Sequence, residues 1–275
     1  MAMIPSNYFK ATVALGRREQ NGETRWFASG FFVGRKETEN NYSVYLITNK
    51  HVVNNQRVLE MQFNSKTGIK QYSCILYTDQ QTKCFSEHPT DDVVAINVNI
   101  NGALAVGAEV SFFELDHNAL TMQQMKATGI SEGTLVYTLG FPVSLQGNDQ
   151  CIVNGIYKSP IVRLGCIAKI EDKYHAKGKT EYIVDSSVFP GNSGGPVINR
   201  PEIVAITNTP MNTSSNLIGI ISRYIAYRET LISTQTGNLR SIAEENSGLS
   251  IVIPVDSILS TVEIERNRAL GQEKH

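Results

Sequence analysis

The chain has 275 residues, of which 41% are apolar and 19% charged, and its net charge is −1. That length and apolar share suit one or two globular domains with an ample core. The near-neutral charge gives no electrostatic footing for nucleic acid or an acidic membrane surface, and no apolar run approaches the about 18 residues of a membrane-spanning helix.

The first seven residues lack the basic and long apolar stretches of a secretory signal. Strand signals then fill the first half, at 8–15, 26–33, 44–47, 58–63, 72–77 and 93–98, with turns between them such as Asn21-Gly22 and 64–68. Six short strands separated by turns suggest a small antiparallel barrel. The polar stretch 114–128 is the best domain boundary, so units at 1–115 and 116–275 are expected. In the second half the candidates are 135–139, 161–170, 181–184, 196–198, 203–207, 217–222 and 249–253. A helix is expected after Pro254, capped by Asp256 or Ser257, with Ile258, Leu259 and Val262 packed on the second barrel. Polar 263–275 is expected to fray. Cys74, Cys84, Cys151 and Cys166 match no zinc spacing and read as reduced thiols of a cytoplasmic protein, with a local Cys74–Cys84 disulfide as the alternative.

The densest chemical signal is Phe189-Pro190-Gly191-Asn192-Ser193-Gly194-Gly195-Pro196. Its glycines and prolines specify a tight loop holding one hydroxyl. The N–H groups of Gly191 and Ser193 are placed to converge on a developing oxyanion, an effect of about 3–4 kcal/mol on an acyl-transfer barrier. The bland reading is a Gly-rich surface turn. The loop also matches G-x-S-x-G, the nucleophile elbow. That motif needs a following helix and a downstream histidine, whereas here Gly194-Gly195-Pro196 follows and the only later histidine is His275. A base for Ser193 must therefore lie upstream.

Of the upstream histidines, His51 stands where an apolar strand gives way to a turn. His88, His117 and His175 lie in polar stretches and read as solvated loop histidines. Asp91-Asp92 precedes the buried run 93–96. A carboxylate there can orient an imidazole, with Asp92 the choice and Asp91 the reserve. The plainer reading of either is a strand-start turn residue, and for Asp91 it is the better one.

The order His, Asp, Ser is that of chymotrypsin-type peptidases. Thr48-Asn49-Lys50-His51, Asp92-Val93-Val94-Ala95 and Gly191-Asn192-Ser193-Gly194-Gly195-Pro196 resemble the active-site blocks of trypsin-like serine peptidases. In form they are closest to the bacterial HtrA/Deg-like branch, without room for a PDZ domain. The resemblance covers roughly residues 8–260 and includes Ser29-Gly30-Phe31-Phe32-Val33-Gly34 and Gly140-Phe141-Pro142. It implies an all-β protein of two six-stranded antiparallel barrels with a C-terminal helix. His51 and Asp92 would come from the first barrel and Ser193 from the second.

The resemblance further implies a serine endopeptidase acting on protein or peptide substrates, with no metal or cofactor. It implies a pocket floor at Ser187 and walls at Ser222 and Tyr224, hence uncharged small or medium side chains in the pocket. The different-class alternative is a catalytically silent binding module of the same fold. Residues 223–247 exceed the family's short loop and read as a lid, a docking site for a regulatory protein partner, or a simple insertion. Asn192 stands where secreted trypsins carry the Asp that pairs with a newly cut N-terminus, so no activation by cleavage is expected.

Overall fold

The computed structural model describes residues 4–39, 41–65, 67–143, 159–175, 181–202 and 211–271. The chain runs α1 (Ser6–Ala11), β1 (Thr12–Arg18), β2 (Thr24–Thr38), β3 (Asn41–Thr48), α2 (Lys50–Val53), β4 (Val58–Ser65), β5 (Gly68–Ile75), β6 (Ser86–Glu87), β7 (Val94–Asn97), α3 (Ile100–Ala105) and β8 (Phe113–Glu114). It continues as α4 (Met122–Ala127), β9 (Leu135–Gly140), β10 (Ile161–Lys169), a 3₁₀ turn (Glu171–His175), β11 (Tyr182–Asp185), β12 (Pro196–Asn199), β13 (Leu217–Ile232), β14 (Leu239–Pro254) and α5 (Val255–Ala269).

The fold is mainly β and chymotrypsin-like, with one helix at the end. The first half forms an eight-stranded sheet ordered β5-β4-β1-β2-β3-β7-β6, with β8 parallel to β2. The second half closes into a six-stranded barrel, β10-β11-β14-β13-β12-β9. Each half has its own interior. Leu15, Phe32, Leu46, Leu59 and Leu76 fill the first, and Val136, Ile167, Tyr182, Val197 and Ile218 the second. A third cluster joins Phe31, Tyr45 and Phe113 to Leu139, Ile198, Leu217 and Ile253, and α5 adds Ile258 and Val262. The halves are thus welded by apolar burial worth roughly 1.5–3 kcal/mol per large side chain.

Several expectations change. Residues 8–11 belong to α1, because Pro5 fixes the entry angle and its carbonyl accepts the Tyr8 N–H at 3.0 Å. Helix α5 packs chiefly on β6 and β7 of the first sheet, and it runs on through the polar segment expected to fray. The reason is Glu265, fully buried, which bonds Ser86 Oγ at 2.8 Å, the Asn97 N–H at 3.1 Å and the Arg268 guanidinium at 2.7 Å. Neither expected cap serves α5: Asp256 accepts the Met122 N–H instead, and Ser257 bonds Asp91. The boundary stretch contains α4, whose Thr121 and Gln124 form a reciprocal cap. Residues 223–247 are the projecting ends of β13 and β14.

The expected strand at 203–207 and Cys151 lie outside the described residues. Among the described residues there is no disulfide, with Cys74, Cys84 and Cys166 all free. Burial pushes the Cys74 thiol up to about 12. No described helix is long and apolar enough to cross a membrane.

Candidate active site

Strand β3 delivers the first residues of the site. Thr48 Oγ1 donates to Ser29 O at 2.9 Å, and the buried Asn49 amide donates to Asp92 O at 2.7 Å. The next residues turn into α2. Val52 and Val53 sink into the first core while His51 faces outward. One sequence block thus anchors itself on two sides and leaves its imidazole on a rigid rim.

Asp92 sits just before β7. Its Oδ2 lies 2.7 Å from His51 Nδ1, its Oδ1 accepts the His51 backbone N–H at 3.2 Å, and Ser222 Oγ donates to Oδ2 at 3.1 Å. Burial pushes this carboxyl up, but the hydrogen bonds and charge of His51, with Ser222, outweigh it and hold it below the usual carboxylate value. An ionised carboxylate only accepts, so His51 Nδ1 is the donor in this contact.

Asp91 points elsewhere. It is buried, and its carboxylate accepts Ser257 Oγ from α5 at 2.5 Å and Thr90 Oγ1 at 3.2 Å. His88 is not the solvated histidine expected. It is largely buried, and its Nδ1 accepts the Asp91 N–H at 2.9 Å. His117 is exposed.

The loop at 189–195 is fastened at nearly every peptide. Pro190 O accepts Val143 N–H at 2.7 Å, Gly191 O accepts Ser29 Oγ at 2.6 Å, and Ser193 O accepts Ser29 N–H at 2.9 Å. Ser29 Oγ in turn accepts the Phe141 N–H at 2.8 Å. Two glycines are required here. Gly191 has φ +96° and Gly194 φ +84°, and a Cβ at either would drive into backbone, at Phe141 O and Ser29 O respectively. Among the described residues, no protein group accepts the N–H of Gly191 or Ser193.

Ser193, His51 and Ser222 line one cavity of about 340 Å³. Val188, Phe189, Pro190, Ile221 and Tyr224 give it apolar walls, and Arg223 completes the rim. Arg223 reaches Glu181 at 3.4 Å. Of the three expected pocket residues, Ser222 and Tyr224 line the cavity. Ser187 does not: Ser186 and Val188 turn inward on either side of it, so the alternation leaves Ser187 exposed. Ser193 Oγ donates to Ser222 O at 3.2 Å, and no hydrogen bond among the described residues joins it to His51.

Ser29 and Asn49 belong to this arrangement, yet sequence reading assigned neither a task. Both are buried polar residues inside recognisable blocks, and that placement was the available signal.

A closed six-stranded barrel packed on an eight-stranded sheet, with a histidine, a carboxylate and a loop-held serine brought together, is the arrangement of a peptidase of the chymotrypsin fold. The family model described as "Trypsin-like peptidase domain" matches residues 28–206, more than half of the chain, and the chain belongs to that family. A search of curated proteins finds no match. Among solved structures, the MamO protease domain from Magnetospirillum magneticum (apo form) is 17% identical with a TM-score of 0.50, covering 93% of this chain and 97% of that one. A collagenase structure is 12% identical with a TM-score of 0.46, covering 97% and 95%.

Proposed function

We propose that the chain is a serine endopeptidase in which Ser193 is the nucleophile, His51 the general base and Asp92 the residue that orients it. The observation that carries this reading is the 2.7 Å contact of His51 Nδ1 with Asp92 Oδ2 on the rim of the cavity that also holds Ser193. Ser193 leaves the Ser222 carbonyl by one step between staggered rotamers. His51 Nε2 takes its proton as Oγ attacks the scissile carbonyl carbon, and the N–H groups of Gly191 and Ser193 hold the resulting oxyanion. His51 then passes the proton to the leaving amine, and water releases the acyl group by the same route. The walls of Val188, Phe189, Ile221 and Tyr224 suit an uncharged, apolar side chain before the scissile bond.

The second reading, a silent binding module, draws on the Ser193 bond to Ser222 O. A fluorophosphonate probe separates the two. Labelling of the intact protein that disappears in Ser193→Ala, with hydrolysis of a short peptide ester, supports the peptidase. No labelling, together with no hydrolysis of any peptide, supports the module.

A further inference from the structure

Where the projecting arm leaves the barrel, the ladder between β13 and β14 breaks. Tyr224 pairs with Ser250 and Ala226 with Asn246, so Ser247, Gly248 and Leu249 stand opposite Ile225 alone. Gly248 takes up the irregularity with φ +84°, and Ser247 Oγ donates to Ile225 O at 2.6 Å. A bulge of this kind bends the strand and re-aims a side chain. The side chain re-aimed here is Asn246. The residue lies on the exposed arm, yet its amide turns back to the barrel, and Nδ2 donates to Val188 O at 2.6 Å across 58 positions of sequence. The Gly248 N–H donates to Asn246 Oδ1 at 2.9 Å, and that bond fixes which end of the amide faces Val188.

Val188 and Phe189 form part of the wall of the cavity that holds Ser193. The segment after them is fastened: Phe189 O accepts the Asn192 N–H at 3.0 Å, with Pro190 and the positive-φ Gly191 at the centre of a tight turn. The segment before them is fastened too, since Gly248 O accepts the Ser186 N–H at 2.9 Å and Ser186 O accepts Ser250 Oγ at 2.9 Å. Between these anchors, no backbone N–H among the described residues reaches Val188 O. The peptide that carries the wall is held at its oxygen by one side chain, and that side chain belongs to the stretch 223–247 that exceeds the family's short loop. The Phe189 ring has a further hold in Arg163, whose guanidinium lies 4.8 Å from the ring centroid.

We infer that Asn246 is a positioning residue that braces the Val188–Phe189 wall and so sets which apolar side chains the cavity accepts. This rests on the peptidase reading and concerns the specificity of that same site. A pocket tells apart side chains that differ by a methyl group or two only while its walls keep their separation. Freed of Asn246, the Val188–Phe189 peptide plane can rotate, and the side chains on either side of it shift with it. The task of residues 223–247 then lies at the base of the arm, and its exposed tip takes no part.

The test uses the intact protein and two peptide esters that differ only in Val or Ala before the scissile bond. Asn246→Ala should raise KM for the Val ester about fivefold, with kcat changed by less than about twofold. It should also narrow the Val-to-Ala ratio of kcat/KM by about the same factor, which a loss of stability alone would not do. Asn246→Asp keeps the shape of the side chain but offers Val188 O no donor, so KM should rise at least as much; a role in filling space would be spared. Replacing 229–243 by a two-residue Asn-Gly turn keeps Asn246 and should leave both KM and the ratio as they are. If Asn246→Ala does not fold by circular dichroism, Asn246→Asp and the shortened arm decide. An unchanged KM in either folded substitution, or an equal rise in the shortened arm, overturns the brace; so does a fall in kcat with the ratio unaltered. Fluorophosphonate labelling that persists through these outcomes leaves the peptidase reading intact. If neither probe nor ester reacts with the unaltered protein, the peptidase reading fails. Fluorescence anisotropy of the Val peptide then decides the brace: binding about fivefold weaker in Asn246→Ala supports it, and equal or absent binding overturns it.

Discussion

Asp91 and Asp92 are neighbours with the same side chain and different tasks, and the division is set by what each touches. Asp92→Asn keeps the shape of the carboxylate but favours the wrong His51 tautomer, so turnover should fall by about 10⁴-fold with the fold unchanged by circular dichroism. Asp91→Asn weakens the bond to Ser257 Oγ and should lower stability by about 1–2 kcal/mol while leaving kcat within about threefold. The reverse ranking would reassign the acid. Ser29→Ala tests the oxyanion loop. It removes the hydroxyl shared by Gly191 O and the Phe141 N–H, so kcat should drop about tenfold or more with KM little changed, and Ser29→Thr should recover part of the loss. His51, Asp92 and Ser193 stood out as candidates because each lies in a short contiguous block. Ser29 was not, since its partners stand 112 and 162 positions away and only the folded chain brings them together.

Elements built on continuous buried runs, such as β3 and β12, were readable from residue pattern. The outer halves of β13 and β14 were not, because a strand exposed on both faces has no apolar period to detect. The full length of α5 escaped for a related reason: Glu265 looks solvated in sequence, yet it is the buried anchor of the helix. Glu265→Ala should cost about 2–4 kcal/mol by urea denaturation, since it strips Arg268, Ser86 and the Asn97 N–H of their shared acceptor. The loop between β6 and β7 adds a pH dependence. Burial lowers the His88 pKa against the raising effect of Asp91, so the unfolded chain binds the proton more readily than the folded one. Stability should therefore be full above the ordinary histidine range and decline as pH falls through about 6.5. His88→Gln should flatten that slope in thermal melts recorded from about pH 8 to 5; an unchanged slope would remove His88 as its source.

At the scale of the molecule, the two halves share one apolar cluster and clamp the loop at 189–195 between them. Neither composition nor internal repetition announced two β units; that expectation came from the resemblance of three blocks, and the closed second barrel and eight-stranded first sheet give it physical form. The clamp bears on how activity would be switched on. In the cleavage-activated arrangement, a charged partner must arrive before the oxyanion loop takes shape. Here Asn192 is buried, its N–H donates to Phe189 O at 3.0 Å, Pro190 O is held by Val143 and Gly191 O by Ser29. The last two of these bonds come from the body of the fold, and Gly191 already has the positive φ that the loop requires. The N–H groups proposed to hold the oxyanion thus need no new terminus to orient them. The intact chain should react with a fluorophosphonate probe at a rate that limited proteolysis within residues 5–30 leaves within about threefold. A protein inert until cut there, and at least about tenfold faster afterwards, would mean that the loop is not yet competent as folded and that the clamp alone is insufficient.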